Sequence, residues 1–270
     1  MSRKSKVSAK EQRKRKIRRR VTIRVTILFF ALIGVINTCS FIFEKGKGVI
    51  TYAFENDNEE SNEAVALANV EDNKFTVCID AGHGSHDEGT KSASGVKEKD
   101  INLKVVLKLG KMLEKEGIQV VYTRKTDNLS WDGDEIEDLK ERVNISNRAK
   151  ADVFISVHCN SGEDETYSGI ETWCRYPNTD SSKLAKLVQY KLNSLNYSTG
   201  RGIKYESDGE LAVLKNNNAA AILVELGFLS NGNDLAYLKS SIGQENIASA
   251  ITDSVLEYKK ENWDKDSVNE

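Results

Sequence analysis

Three apolar stretches of the sequence each lead to a side chain that can bind a metal ion or carry a proton. FTVCID is followed by AGH and so leads to His83, VFISVH ends in His158, and ILVE ends in Glu225. The chain has only three histidines, and two of them stand at such ends. Ligands of open α/β sheets bind at the carboxyl ends of strands. The pattern therefore predicts that these three side chains share a site.

These residue types favour a catalytic zinc site. Zn²⁺ in such sites takes three protein ligands, commonly imidazoles and a carboxylate, and keeps one position for water. His83 and His158 supply two ligands, and Glu98 in VKEKDINL is placed to reach back over the glycine loop as the third. Glu225 would be costly to bury without a partner. We expect it to be the general base that takes a proton from the water that the metal activates.

Each of these residues alone has a simpler explanation, because a single histidine at a strand end is more often structural. Two other interpretations are disfavoured. AGHGSHDEG resembles a phosphate-binding loop, but no Lys-Ser/Thr pair follows it, and Asp87 and Glu88 would repel phosphate. Cys159 beside His158 could suggest a nucleophile pair, but adjacent strand residues point to opposite faces. Cys159 is therefore expected in the core.

The elements that must position these groups alternate between strand and helix patterns. Short β-branched runs and amphipathic helical segments follow one another, which is typical of an α/β domain with crossover helices. The predicted helix after the glycine loop has Asp100 as its expected N-cap. The predicted strands are residues 75–80, 119–123, 153–158, 170–174, 211–214 and 220–225, and the predicted helices are residues 101–115, 136–150, 182–195, 233–239 and 244–260.

The first part of the chain predicts a membrane anchor. The total charge is −2, but residues 1–20 contain eleven basic residues and one acidic residue, so this segment carries +10 and the remainder −12. Residues 25–43 are uncharged and close to the ~20 residues needed to cross a bilayer. We expect residues 1–24 to be a cytoplasmic tail and the rest of the chain to be extracytoplasmic. An uncleaved anchor is preferred to a cleaved signal, and nucleic-acid binding by the basic block is disfavoured.

The rest of the chain divides into three parts. Residues 44–74 are polar and acidic and are expected to be a linker, residues 75–260 form the catalytic domain, and residues 261–270 form a polar tail. Cys78 and Cys159 are expected as buried thiols, and together with Cys174 they do not suggest a disulfide framework. Cys39 falls within the predicted span.

Successive motifs of the chain resemble those of a known enzyme family. DAGHGSHDEG, EKDINL, YTRKTD, ERVNISNRAKADVFISVHCN, SGIETW and ILVELGFLSN are similar, in this order, to the motifs of the zinc-dependent N-acetylmuramoyl-L-alanine amidases. The resemblance covers about residues 75–257. The sequence departs from the family at Ala81, where a proline is usual, and in NNNAAAILVE, which lacks a proline often found there.

The resemblance implies a fold, a reaction and a site. The fold is a single α/β domain with a twisted, mixed and mostly parallel sheet flanked by helices. The reaction is hydrolysis of the amide between N-acetylmuramic acid and the L-alanine of the stem peptide, with peptidoglycan as substrate and Zn²⁺ as cofactor. Zinc would be held by His83, Glu98 and His158, with Glu225 as the catalytic glutamate. His86 stands where the family has no ligand. The rival hypothesis is a catalytically silent, zinc-stabilised binding or regulatory module.

Four further residues have open roles. Asp80 and Asn160 either orient metal ligands or make turn and cap contacts. Arg124 either meets a substrate carboxylate or pairs with Asp127, and the structural role is favoured. Trp131 either lies near the substrate groove or is an exposed loop residue.

Overall fold

The computed structural model describes residues 74–129, 131, 135–206 and 211–264. These residues form six strands and five α-helices with one short 3₁₀ helix, Ala212–Leu214. The strands are β1 (Thr76–Ala81), β2 (Gln119–Tyr122), β3 (Val153–Asn160), β4 (Ile170–Cys174), β5 (Gly200–Tyr205) and β6 (Ala220–Phe228). The helices are α1 (Glu98–Lys115), α2 (Glu135–Arg148), α3 (Asp180–Asn193), α4 (Gly232–Leu238) and α5 (Ser241–Asn262).

The six strands form one mixed, mostly parallel sheet in the order β2-β1-β3-β6-β4-β5. Strands β2, β1, β3 and β6 are parallel to one another, and β4 is antiparallel to β6 but parallel to β5. The carboxyl ends of β1, β3 and β6 therefore lie at the same edge of the sheet as the start of β4. The expected α/β class and mixed, mostly parallel sheet are confirmed.

The central strands are buried on both faces, which explains their nearly continuous apolar sequences. On β1, Val77 and Ile79 belong to one hydrophobic cluster, while Cys78 between them belongs to another. The same alternation separates Ile155 from Phe154 on β3. The period of two in a strand thus divides the core into two layers.

Helices cover both faces of the sheet. Helices α1 and α3 contact strands through the larger cluster, and α5 packs against both of these helices. Helix α2 and the 3₁₀ helix contact each other over the smaller cluster. His158 and Glu225 share the face of the smaller cluster with Phe154 and Leu223.

Two predictions about the elements are corrected, and one strand was missed. Helix α1 begins at Glu98 with Lys97 as its N-cap, so the expected cap, Asp100, lies in the first turn. The predicted strand at residues 211–214 is a 3₁₀ helix, since this short segment packs against α2 instead of pairing. Strand β5 was not predicted, because GRGIKY contains two glycines and is mostly exposed or half-buried.

The predictions for residues 1–24, 25–43 and nearly all of the linker, and for most of the tail, lie outside the described residues. Within the part of the chain that the structure describes, each helix is too short or too polar to span a bilayer. Cys78, Cys159 and Cys174 are buried free thiols, which confirms the prediction made for Cys78 and Cys159.

Candidate metal centre

His83, Glu98 and His158 meet at one point above the sheet edge. One ligand atom from each of them lies within 4.8 Å of the others. The Oε1 atom of Glu98 is 3.1 Å from Nε2 of His83 and 3.0 Å from Nδ1 of His158. The two imidazole rings are 4.9 Å apart between centroids, at 77° to each other. The structure therefore brings together the three residues predicted as metal ligands.

His83 is oriented by a carboxylate on its far side. Nδ1 of its ring is 2.7 Å from Oδ2 of Asp87, whose Oδ1 accepts a hydrogen bond of 3.0 Å from the amide of Gly89. Burial by itself would lower the pKa of His83, but the hydrogen bonds and negative charges of Glu98 and Asp87 raise it to about 9. Asp87 thus fixes the ring so that Nε2 faces the site, as carboxylates do for metal-binding histidines.

Glu98 is a buried carboxylate held by several donors. It lies in the first turn of α1, where the helix dipole favours negative charge, and is 3% exposed. The amides of Thr90 and Cys159 donate hydrogen bonds of 2.9 and 3.0 Å to its two oxygens. Although burial opposes ionisation, hydrogen bonds from His158 and His83 hold the pKa of Glu98 well below its usual range. The carboxylate is ionised and fixed in position.

Two glycines allow the ligands to approach the backbone closely. A Cβ on Gly82 would lie 2.2 Å from Cε1 of the His158 ring. A Cβ on Gly89, whose φ is +63°, would lie 2.6 Å from both Oε2 of Glu98 and Cδ2 of His83. Any side chain at these two positions would occupy the space of a ligand, which explains the glycines at 82 and 89.

Glu225 lies beside His158 on the neighbouring strand. The two residues are Cα partners in the β3–β6 ladder, so their side chains leave the same face of the sheet. The Glu225 side chain is half-buried, and no described residue makes a hydrogen bond to its enclosed Oε2 atom. Burial raises the pKa of Glu225 to about 7, with Glu98 and Glu171 adding to the effect and the two histidines opposing it. A carboxyl group with such a pKa can both accept and donate a proton near neutrality.

The loop that carries His83 is anchored by a buried ion pair. Arg142 donates hydrogen bonds of 2.7 Å to Oδ1 of Asp80 and 3.0 Å to the carbonyl of His83. Asp80 is fully buried and also accepts hydrogen bonds of 2.6 Å from Thr123 and Ser156. This network supports the φ of +64° at His83, a value that residues other than glycine rarely adopt. Asp80 therefore helps to hold the backbone of His83 in place, because it binds Arg142, which in turn binds the His83 carbonyl.

Contacts decide two further assignments. Arg124 donates to the carbonyls of Ala81, Gly82 and Lys99, so its role is structural, as favoured. The expected pairing of Arg124 with Asp127 is wrong, because Asp127 pairs with Lys99. Cys159 is 3% exposed, and burial raises the pKa of its thiol well above the ordinary value, which agrees with the core assignment.

The contacts of two other residues bear on their open roles. Asn160 donates to Glu171 and accepts a hydrogen bond of 2.8 Å from the amide of Ser161, so its turn contact is confirmed and it does not orient a predicted ligand. Trp131 donates from its indole nitrogen to Asp138 and packs against the smaller hydrophobic cluster, so it is not an exposed loop residue. Its position near the substrate groove stays a prediction.

The donor set fits a divalent metal ion. Two imidazole nitrogens and one carboxylate oxygen converge, with Asp87 behind one ring and backbone amides behind the carboxylate. Three such ligands with one open side are typical of hydrolytic metal centres. Together with a protonatable Glu225 in an α/β domain, they define the class of the protein as a hydrolase with a site that could hold a metal ion.

Comparison with known proteins identifies the family. The family model described as N-acetylmuramoyl-L-alanine amidase matches residues 77–257. The chain is 31% identical over 185 residues to the N-acetylmuramoyl-L-alanine amidase LytC of Bacillus subtilis, a match that covers 68% of this chain and 35% of LytC.

Similar solved structures support the same family assignment. The CwlD amidase of Clostridioides difficile, solved in complex with the GerS lipoprotein, is 33% identical with a TM-score of 0.65, over 70% of this chain and 100% of that one. An N-acetylmuramoyl-L-alanine amidase from Clostridium difficile 630 is 37% identical with a TM-score of 0.63, over 70% and 99% of the two chains. The chain belongs to the N-acetylmuramoyl-L-alanine amidase family, and its domain is a peptidoglycan hydrolase that acts on the bond between N-acetylmuramic acid and L-alanine.

Proposed function

We propose that this amidase depends on zinc held by His83, Glu98 and His158, that Glu225 carries the proton during hydrolysis, and that the chain is anchored in the cell membrane. The convergence of three ligand atoms within 4.8 Å beside Glu225 is the observation that carries the catalytic part. The substrate is peptidoglycan.

The chemistry of the three ligands supports zinc. A zinc ion bound there would polarise the carbonyl of the scissile amide and make water a better nucleophile. Asp87 keeps the His83 ring in the orientation that exposes Nε2, and the amides of Thr90 and Cys159 keep Glu98 from turning away. Because these contacts fix the ligand side chains in position, they would favour binding of the ion.

Glu225 is suited to move the proton. Its Oε2 atom makes no hydrogen bond to any described residue, and its pKa is raised to about 7 by burial and by the nearby carboxylates. Glu225 would take a proton from the attacking water and deliver it to the nitrogen of L-alanine as the amide bond breaks. A positive charge bound between the ligands would favour the ionised form of Glu225, which is the form that accepts a proton.

The catalytic proposal is tested by release of N-terminal alanine from purified sacculi. The full-length protein in detergent is compared with Glu225→Gln, which keeps the size of the side chain but cannot accept the proton. Glu245→Gln, an exposed position on α5, is the matched control. We expect Glu225→Gln to lose at least about 100-fold in rate and retain bound zinc, in the range of general-base catalysis. Unchanged activity of Glu225→Gln would refute its role, and an inactive zinc-loaded wild type would favour the silent binding module.

The membrane proposal is supported by the sequence of residues 1–43. An uncharged stretch at residues 25–43 follows a basic block, the pattern of an anchor whose basic side stays in the cytoplasm. The catalytic domain would then be extracytoplasmic and held close to its substrate. Protease added to intact spheroplasts should digest the domain, while a cytoplasmic marker survives. Digestion only after lysis of the spheroplasts would contradict this orientation.

A further inference from the structure

The site continues as a row of polar side chains across the sheet. His158 is paired with Glu225 between β3 and β6, and Glu225 is paired with Glu171 between β6 and β4. Paired residues of adjacent strands point to the same face of a sheet. Three ionisable side chains on three neighbouring strands therefore face the same space.

Arg201 extends this row to a fourth strand because of a bulge in β5. The ladder between β4 and β5 passes from Ile170↔Gly200 to Glu171↔Gly202, so Arg201 is the extra residue. Bulges re-aim side chains and are common next to active sites. Nε of Arg201 donates a hydrogen bond of 2.7 Å to Oε2 of Glu171. The bulge thus turns a residue of the edge strand toward the site.

The position of Arg201 is fixed by its surroundings. Its guanidinium carbon lies 5.0 Å from the centroid of the Phe228 ring. A Cβ on Gly169 would lie 2.6 Å from Cγ of Arg201, so the glycine makes room for the side chain. Glu171, which is 4% exposed, is held in turn by hydrogen bonds of 3.2 Å from Asn160 and 3.1 Å from Trp173. Glu171 is a positioning residue for the arginine.

The outer part of the guanidinium is available to a ligand. Nη1 has one long hydrogen bond, 3.4 Å, to the carbonyl of Ser168, and Nη2 donates to no residue in the described ranges. The side chain is 36% exposed. A guanidinium with unused donors on one edge is suited to bind a carboxylate through two parallel hydrogen bonds.

The distance between Arg201 and Glu225 indicates which part of the substrate reaches Arg201. Adjacent strands are about 4.8 Å apart, so the backbone of Arg201, two strands from Glu225, is roughly 10 Å away. An extended peptide advances about 3.5 Å per residue, which places the second or third residue of the stem peptide beside Arg201 when the scissile amide lies at Glu225. The glycan consists of N-acetyl sugars, whereas the stem peptide offers carboxylates.

We propose that Arg201, positioned by Glu171, forms a subsite that binds a carboxylate of the second or third stem-peptide residue. This inference rests on the proposed function of the site next to it. The subsite would align the peptide so that the amide to be cut lies over the metal ligands and Glu225. It would also make the enzyme sensitive to amidation of the stem peptide, because a carboxamide lacks the charge that the guanidinium recognises.

The test measures discrimination between carboxylate and carboxamide substrates. Zinc-loaded full-length protein is assayed with three soluble muropeptides: one with free carboxylates on the second and third stem residues, one amidated at the second residue, and one amidated at the third. We expect kcat/KM of wild type to fall about 10-fold with one of the amidated substrates, equal to about 1.4 kcal/mol. Arg201→Gln should cleave the free and the amidated substrates with equal kcat/KM. Arg201→Lys should keep part of the wild-type ratio, and Glu171→Gln should reduce it. Lys204→Gln, a basic residue further along β5, should keep the wild-type ratio.

The outcomes separate the subsite from the hydrolytic function. Equal cleavage of all three muropeptides by wild type would overturn the subsite and leave the amidase function intact, and this result needs no variant to fold. A wild-type ratio retained by Arg201→Gln would overturn the role of Arg201. An equal loss on all three substrates in Arg201→Gln would assign it a purely structural role. Failure of wild type to cleave any of them would overturn both proposals.

Discussion

Substitution of Gly82 by alanine should disrupt metal binding without unfolding the domain. The new Cβ would lie 2.2 Å from Cε1 and 2.3 Å from Nε2 of the His158 ring, against an ordinary contact distance of about 3.5 Å. The backbone cannot yield easily, because the amide of Gly82 donates to the carbonyl of Val157 and its own carbonyl accepts from Arg124 and Asn102. The ring must therefore move by about 1 Å, which is several times the tolerance of about 0.2 Å in a metal–ligand distance.

We expect Gly82→Ala to weaken zinc binding by at least about 100-fold, or about 2.8 kcal/mol. The assay is competition for zinc against a chromophoric chelator, with a thermal melt of the metal-free protein to confirm folding. Gly232→Ala is the matched control, because a Cβ there would meet no atom within 4 Å. A zinc affinity of folded Gly82→Ala within threefold of wild type would refute the close approach of His158 to this glycine.

Three further predictions concern residues that hold His83 and its loop in position. Asp87→Ala removes the partner of His83 Nδ1 and should weaken zinc binding about 10- to 100-fold in the chelator assay; an unchanged affinity would show that the ring needs no carboxylate. Arg142→Met leaves the Asp80 carboxylate buried without its counter-ion and should cost about 3 kcal/mol in urea unfolding; a loss below about 1 kcal/mol would contradict this. The pKa of Asp80 is lowered to about 2 because Arg142, Ser156 and Thr123 outweigh the effect of burial. Its ionisation therefore stabilises the fold above about pH 4, and this contribution, about 2 kcal/mol, is lost as the pH falls from about 4 to 2. Urea unfolding at pH 5 and pH 3 should show a steeper loss for wild type than for Asp80→Asn, and equal losses would disprove the linkage.

The central strands were predictable from sequence because burial on both faces leaves a continuous apolar run. Strands β1, β3 and β6 carry such runs, and each was found within a few residues of its observed bounds. Strand β5 has no such signal, since an edge strand with two glycines buries little side-chain area. The antiparallel pairing of β4 with β6 could likewise not be predicted from the sequence, because it depends on the path of the chain and not on a local residue pattern.

In the site, groups at the ends of apolar strands could be predicted from sequence, whereas contacts that depend on loop or bulge geometry could not. His83, His158 and Glu225 follow strand runs, so their convergence at one sheet edge could be inferred from topology. Asp87 stands in the same loop, but its contact with His83 depends on the left-handed conformations at His83 and Ser85, which no residue pattern reveals. The pair of Glu171 and Arg201 depends on the β5 bulge, and the sequence offered only the resemblance of SGIETW to a family motif.

The most direct test is to locate zinc in crystals of the protein by anomalous diffraction at the zinc absorption edge. We predict one strong peak within about 2.0–2.2 Å of Nε2 of His83, a carboxylate oxygen of Glu98 and a ring nitrogen of His158, with Glu225 adjacent but not bound to the ion. A peak elsewhere, or one in which Glu225 replaces one of the three ligands, would contradict the assignment of the metal site and of the proton carrier.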